Sequence, residues 1–366
     1  EDVLLLRRHA VVQQRRDGLQ QLRVLPLDGG VPHDIAFPDA AYALAPTGNR
    51  HFDAGVLRFQ YESPAAPPAI YEYDLDRRTR VLLKQRRIPS GFDPARYEVR
   101  RELVTVRDGA RVPVSLLLPR GFPRDGSRPV LLYGYGAYGI SMEPWFNGNV
   151  LSLVDRGFGY AIAHVRGGQE LGRGWYDEGK MLRKRNTFDD FIDVAEWLHR
   201  ERFTSPARLV ANGASAGGLL MGAVANMRPD LFRAVVADVP FVDVINTMLD
   251  ASLPLTAQEW EQWGNPLVPE QYAYMRSYSP YDNVARQAYP WMLVTTSLHD
   301  SQVMYHEPAK WVARLRTLKT DTNPLYLRTS MTGGHGGASG RYDYLREAAF
   351  RYAFMLDAVG LAGVTP

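Results

Sequence analysis

The stretch "RLVANGASAGGLLMGAVANM", Arg208 to Met227, decides how the chain is read. Its first part, "RLVAN", has the composition of a buried strand, and "GLLMGAVANM" reads as an apolar helix. Ser215 stands at the joint, between Gly213 and Gly217. A serine on a sharp strand-to-helix turn is the nucleophile elbow of α/β-hydrolases. Larger neighbours would strike the adjoining strand and helix, which accounts for the small residues. The helix N-terminus would point its free N–H groups and positive dipole end at the site. Among them, the Ala216 N–H is placed to help hold a tetrahedral oxyanion. The bare pentapeptide also suits a glycine-rich turn without chemistry, or one that binds phosphate. The strand before it and the helix after it favour the hydrolase reading.

A serine hydroxyl is a weak nucleophile at neutral pH, so it needs a base, and the base needs an orienting acid. In α/β-hydrolases the chain order is Ser, then Asp or Glu, then His. Three histidines follow Ser215: His299, His306 and His335. His335 lies in "TGGHGG", directly after the last strand candidate, where flanking glycines let a loop carry an imidazole to the nucleophile. Its plainer reading is a chance residue in a surface loop. Asp300 follows the end of the strand candidate "WMLVTTS" and is the best acid; its plainer reading is a cap for the next turn. Asp243, Asp250 and Asp282 are fallback acids, farther from strand ends. His306 opens "HEPAK", which lacks the second histidine of an HExxH zinc site, so no metal is assigned there.

Working outward, eight strand candidates follow residue 86: "RELVTV", "VPVSLLLP", "VLLYGYG", "YAIAHVRGG", "RLVANG", "AVVADVP", "WMLVTTS" and "LYLRTS". Amphipathic stretches separate the later ones. "TFDDFIDVAEWLHRE" carries Thr187 and Asp190 at capping-box spacing, and "EPAKWVARLRTL" places Pro308 at a first helical position. The pattern predicts an α/β fold, a mostly parallel eight-stranded sheet with helices on both faces over residues 86–366. Sites in such sheets gather at the C-terminal strand ends. Residues 1–85 have another rhythm, short β segments with turns such as the Asp-Gly of "RRDG". They predict antiparallel meanders, about two propeller blades in length. Too few blades to close a ring would leave edges and faces exposed.

Composition narrows the function classes. The 366 residues are 45% hydrophobic and 23% charged, as in an ordinary globular protein. No run approaches a membrane span. The absence of cysteine excludes disulfides, thiolate catalysis and Cys-ligated metals. The formal charge of +3 is dispersed, with no nucleic-acid footprint. The N-terminus "EDVLLLRRHA" lacks both Met and the order of a secretory signal, so the chain reads as a fragment or processed piece. The absent signal and absent cysteines point to a cytoplasmic protein.

Long stretches after Arg86 carry a resemblance: "DGARVPVSLLLP", "YGYGAYG", "HVRGGQELGRGWYDEGK", "NTFDDFIDVAEWL", "GASAGGLLMGAVANMRPDLF", "VPFVDVINTMLDASLPLT", "QWGNP", "YSPYDNV" and "GGHGGASGR". With them the chain resembles the oligopeptidase B branch of the prolyl oligopeptidase family, and residues 1–85 resemble the last blades of that family's β-propeller. The resemblance implies Ser215 as nucleophile, Asp300 as acid and His335 as base. It further implies Tyr135 as the second oxyanion donor and Glu259 with Glu261 as the acidic pair that receives a basic side chain. Glu143 falls where the family has an acid thought to meet a second basic residue, but the next acidic position is Trp145 here. Gln302 stands where many relatives carry an Arg that holds a substrate carbonyl.

The implied function is a serine oligopeptidase that cleaves short basic peptides after Arg or Lys, with no metal or organic cofactor. A guanidinium entering a pocket requires negative charge there. The alternatives are an esterase or lipase-like hydrolase, which would not need the glutamates, and an inactive fragment serving as a binding module. Most of the family's N-terminal part is absent from this sequence and would have to be supplied by a separate chain, if at all.

Overall fold

The computed structural model describes residues 1–340 and 342–363. The first eight strands are β1 (Asp2–Leu5), β2 (His9–Arg16), β3 (Leu19–Pro26), β4 (His33–Asp34), β5 (Ala43–Pro46), β6 (Val56–Ser63), β7 (Ala66–Asp74) and β8 (Thr79–Gln85). They form two antiparallel four-stranded meanders, β1-β2-β3-β4 and β5-β6-β7-β8. The Asp17-Gly18 turn closes the β2–β3 hairpin with both residues at positive φ, 51° and 81°. Leu22, Val24, Leu44, Leu57 and Phe59 fill one apolar core shared by the two sheets. The sequence reading missed the short β4 and β5, which have too few residues to show a period.

The large sheet holds β9 (Tyr97–Thr105), β10 (Arg111–Pro119), β11 (Val130–Tyr133), β12 (Gly159–Ala163), β13 (Leu209–Ala214), β14 (Ala234–Asp238), β15 (Trp291–Ser297) and β16 (Leu325–Ser330). Each of the eight strand candidates is one of these. Their order is β16-β15-β14-β13-β11-β12-β10-β9. The pairs from β12 to β16 are parallel, and β9 and β10 add an antiparallel edge. Side chains alternate between two cores. Leu132, Ala211, Val235 and Val294 face helices Arg185–Arg200, Ala216–Met227 and His306–Leu318, while Leu131, Val210, Val236 and Leu293 face helix Asp343–Ala358. Burial on both faces explains why these strands read as continuous apolar runs.

The chain leaves β11 outward to β12, then crosses back to β13 on the other side of β11. This reversal opens a crevice at the C-terminal ends of β11 and β13. Two local expectations fail. Thr187 and Asp190 form no capping box, since the helix begins at Arg185. Instead the Thr187 hydroxyl donates to the Arg166 carbonyl, and Asp190 pairs with the Arg166 guanidinium. Pro308 is the third residue of its helix, not the first.

Candidate active site

Backbone geometry sets up the nucleophile. Ser215 sits at φ 59° and ψ −117°, a conformation costly for a residue with a side chain. The Ser215 N–H donates to the Asp238 carbonyl at 2.8 Å, which ties the turn to β14. The glycines around it are steric necessities. A Cβ on Gly213 would lie 2.4 Å from the Gly217 oxygen, and one on Gly217 would lie 2.7 Å from the Gly134 oxygen. Helix Ala216–Met227 starts immediately afterwards, so the Ala216 N–H has no intrahelical acceptor and faces the crevice end. Tyr138 and Val239, on the neighbouring loops, also have positive φ.

Strand register brings the other groups together. Tyr133 of β11 is the parallel neighbour of Asn212 of β13, so Tyr135 and Ser215 emerge side by side. Burial pushes the Tyr135 phenol up to about 12, despite an opposing hydrogen bond with Ser215. The group therefore stays protonated at neutral pH and can donate. Likewise, Ser297 of β15 pairs with Ser330 of β16, and the loops beyond them bring Asp300 to His335. Asp300 Oδ2 and His335 Nδ1 are 2.8 Å apart. The buried Asp300 Oδ1 accepts from the Gln302 and Val303 N–H groups, each at 2.9 Å. Burial alone would raise the Asp300 carboxyl, but His335 and these N–H groups together hold it below its ordinary value. Among the described residues, Ser215 and His335 are not hydrogen-bonded to each other, a looseness common in unliganded sites. His335 instead borders a cavity of about 440 Å³ with Ala214, Val239 and Arg328.

Ser215 lines a separate pocket of about 250 Å³. Phe241, Met248, Val303 and Met304 make apolar walls, and Tyr135, Gln302 and Glu259 add polar groups. Glu259 lies on helix Thr256–Trp263. Its Oε2 accepts from the Tyr138 hydroxyl at 2.7 Å and from the Trp263 indole N–H. Burial and the Glu259 charge raise the Tyr138 phenol well above its ordinary value, so it remains a donor. Tyr138 and Trp263 were not singled out from the sequence, where both read as ordinary aromatics.

Two expected substrate contacts lie outside the Ser215 pocket in this geometry. Glu261 is exposed and does not line the pocket. It is two residues from Glu259 on one helix, and residues at that spacing point to different sides. Glu143 is buried and pairs with Arg15 of β2, which also pairs with Glu1. Burial raises the Glu143 carboxyl, while Arg15 opposes the shift. Glu143 therefore ties β2 to the loop after β11 and does not line the Ser215 pocket. Trp145 is 48% exposed beside it. The fallback acids and the other histidines lie elsewhere: Asp243 pairs with Lys310, Asp250 caps Ser252, Asp282 accepts from Ser279, and His299 and His306 are exposed. Among the described residues no cluster of His, Asp or Glu could hold a metal ion, and no helix is long and apolar enough to cross a membrane.

The sheet order, the elbow at Ser215 and the Asp300–His335 pair define an α/β-hydrolase. The model of the prolyl oligopeptidase family matches residues 144–362, and that of the prolyl oligopeptidase N-terminal β-propeller domain matches residues 1–86. The chain belongs to the prolyl oligopeptidase family of serine peptidases. It is 47% identical over 354 residues to dipeptidyl aminopeptidase BI of Pseudoxanthomonas mexicana, covering 96% of this chain and 49% of the relative. It is 44% identical to protease 2 of Moraxella lacunata, covering 96% of this chain and 51% of that one. Among solved structures, oligopeptidase B from Leishmania major superposes with a TM-score of 0.91 at 41% identity, over 100% of this chain and 52% of that chain. Oligopeptidase B from Trypanosoma brucei, with covalently bound antipain, gives 0.91 at 46% identity, over 98% and 52%. The chain spans about half the length of the curated relatives it matches.

Proposed function

We propose that the chain carries the catalytic apparatus of a serine oligopeptidase that cleaves short peptides after Arg or Lys. The observation that carries this reading is Glu259, a carboxylate held by Tyr138 and Trp263 inside the pocket that Ser215 lines. Its Oε1 has no hydrogen-bond partner among the described residues and remains open to a guanidinium or ammonium. Apolar walls would take the methylene stem. A neutral ester has no use for such a charge, which disfavours the esterase reading.

In this mechanism Ser215 Oγ attacks the scissile carbonyl carbon while His335 Nε2 takes the hydroxyl proton. The Nδ1–H donates to Asp300, which stabilises the imidazolium and fixes its orientation. The Ala216 N–H and the Tyr135 hydroxyl receive the negative charge that develops on the carbonyl oxygen. His335 then returns its proton to the leaving amine. Water, activated by the same imidazole, hydrolyses the acyl-enzyme and regenerates Ser215. The glycine-flanked loop of His335 must close on Ser215 for the first proton transfer. A peptidyl-arginine phosphonate tests the scheme: it is expected to modify Ser215 in the intact chain. Folded protein that stays unmodified would contradict it.

A further inference from the structure

Behind the Tyr135 loop lies a charged group that this mechanism does not use. Lys184 is only 1% exposed. Its ammonium donates to the Gly136 carbonyl at 2.5 Å, the Gly179 carbonyl at 3.2 Å and the Thr187 hydroxyl oxygen at 3.0 Å. The Thr187 hydroxyl in turn donates to the Arg166 carbonyl at 2.7 Å. No carboxylate pairs with Lys184 among the described residues; Asp190, whose charge it feels, is committed to Arg166. The Trp263 and Phe188 rings lie 5.3 and 5.8 Å from Nζ.

An ammonium buried without a carboxylate is unfavourable, and burial pushes Lys184 down to about 7. A methionine would fill similar space without that penalty. What the ammonium adds is three donors, matched to Gly179 and Thr187 on its own stretch of chain and to Gly136 on the distant Tyr135 loop. One of those acceptors is decisive. Gly136 directly follows Tyr135 and has φ +73°. A Cβ on it would meet Thr187 Cγ2 at 2.3 Å, and a Cβ on Gly167 would meet the Gly136 oxygen at 2.0 Å. The peptide is wedged, and Lys184 is the close donor to its carbonyl; the Thr187 hydroxyl stands farther away at 3.5 Å.

We infer that Lys184 is a positioning residue, whose amino group holds the Gly136–Ala137 peptide, one residue beyond Tyr135, and so sets the Tyr135 hydroxyl beside Ser215. The inference rests on the oxyanion role proposed for Tyr135. Hydrogen exchange of the whole chain tests the positioning without reference to activity. In Lys184→Met, the Gly134 and Gly139 amides, which donate to Asn212 and Gly167, are expected to exchange about tenfold faster, with β13 to β15 unchanged. Unchanged exchange at both amides, or equal acceleration throughout the sheet, would overturn it.

A kinetic cycle then tests the route through Tyr135. Lys184→Met is expected to lower kcat about tenfold at little-changed KM, but less than about twofold in a Tyr135→Phe background. Equal losses in both backgrounds would overturn that route. Lys184→Leu, which also removes the donor, carries both measurements should the methionine variant fail to fold. A wild-type chain without peptidase activity, or a Tyr135→Phe variant without effect, would count against the proposed function, and the exchange result would then decide on Lys184.

Discussion

The N-terminal sheets and the large sheet solve the same burial problem in different ways. The first pair is antiparallel, with one shared core and few fully buried residues outside it. β8 is exposed along its whole length, with Val81, Leu82 and Leu83 at 63%, 48% and 48%. In the large sheet Leu132, Ala211, Val235, Val236 and Val294 are all at 0%. A strand buried on both faces has a fixed register, and a fixed register aims whatever follows its end. Tyr135, Ser215 and Asp300 follow such ends, while His335 follows β16, the half-exposed edge strand that pairs with β15. The N-terminal sheets reach this machinery through buried side chains on one segment, with Arg15 on Glu143 and Glu62 accepting the Phe146 N–H at 2.9 Å. That segment continues the loop that carries Tyr135 and Tyr138. In the proposed mechanism one region does the chemistry and the other steadies a loop.

This division can be broken or sharpened by substitution. The largest effect is expected from Ser215→Ala, which should lower turnover by at least about 10⁴-fold while leaving denaturant unfolding unchanged. Next is Tyr135→Phe, with a fall in kcat of about 10²-fold measured on a peptide amide. The two neighbouring glutamates should then separate. Glu259→Gln should reduce kcat/KM for an Arg substrate by roughly 10²-fold, and Glu261→Gln by less than about twofold.

Across the junction the sign of the effect changes from activity to stability. Arg15→Ala leaves Glu143 buried without its cation and should cost about 3 kcal/mol in urea unfolding, with kcat at saturating substrate little altered. A large fall in kcat with unchanged stability would place the N-terminal sheets inside the catalytic machinery.

The smallest effect concerns Glu307, which is fully buried and accepts from the Val242 and Asp243 N–H groups and the Thr247 hydroxyl. Burial raises its carboxyl from about 4.5 to about 7. Between those values the folded state holds more protons than the unfolded state, so this group makes stability fall as pH rises. Glu307→Gln should gain stability relative to the wild type from pH 5 to pH 7.5, within about that window. A difference that stays constant over that range would show that Glu307 does not titrate there.

Much of the fold was legible because strands buried on both faces are apolar runs that stand apart from their amphipathic neighbours. The elbow was legible for a related reason, since the close approach of Gly213 and Gly217 to other backbone admits no other residue. Asp300 and His335 could be found from chain order, and their contact follows from the pairing of β15 with β16. Helical phase could have separated Glu259 from Glu261, because positions two apart do not share a face. The partner of Glu143 left no such trace: Arg15 is 128 residues away, and nothing local marks the contact. Tyr138, Trp263 and Lys184 are of the same kind. Each looks ordinary in its own segment and acquires a role only when loops from distant strands converge.

The central claim is that Glu259, in the Ser215 pocket, selects a basic residue for cleavage. The most direct measurement compares kcat/KM for fluorogenic peptides ending in Arg, Pro or Leu, in the wild-type chain and in Glu259→Gln, with Ser215→Ala as the blank. The account predicts a strong preference for Arg in the wild type that collapses in Glu259→Gln while the Leu peptide is unaffected. Equal rates on all three peptides, or an Arg preference that survives the loss of the Glu259 charge, would contradict it.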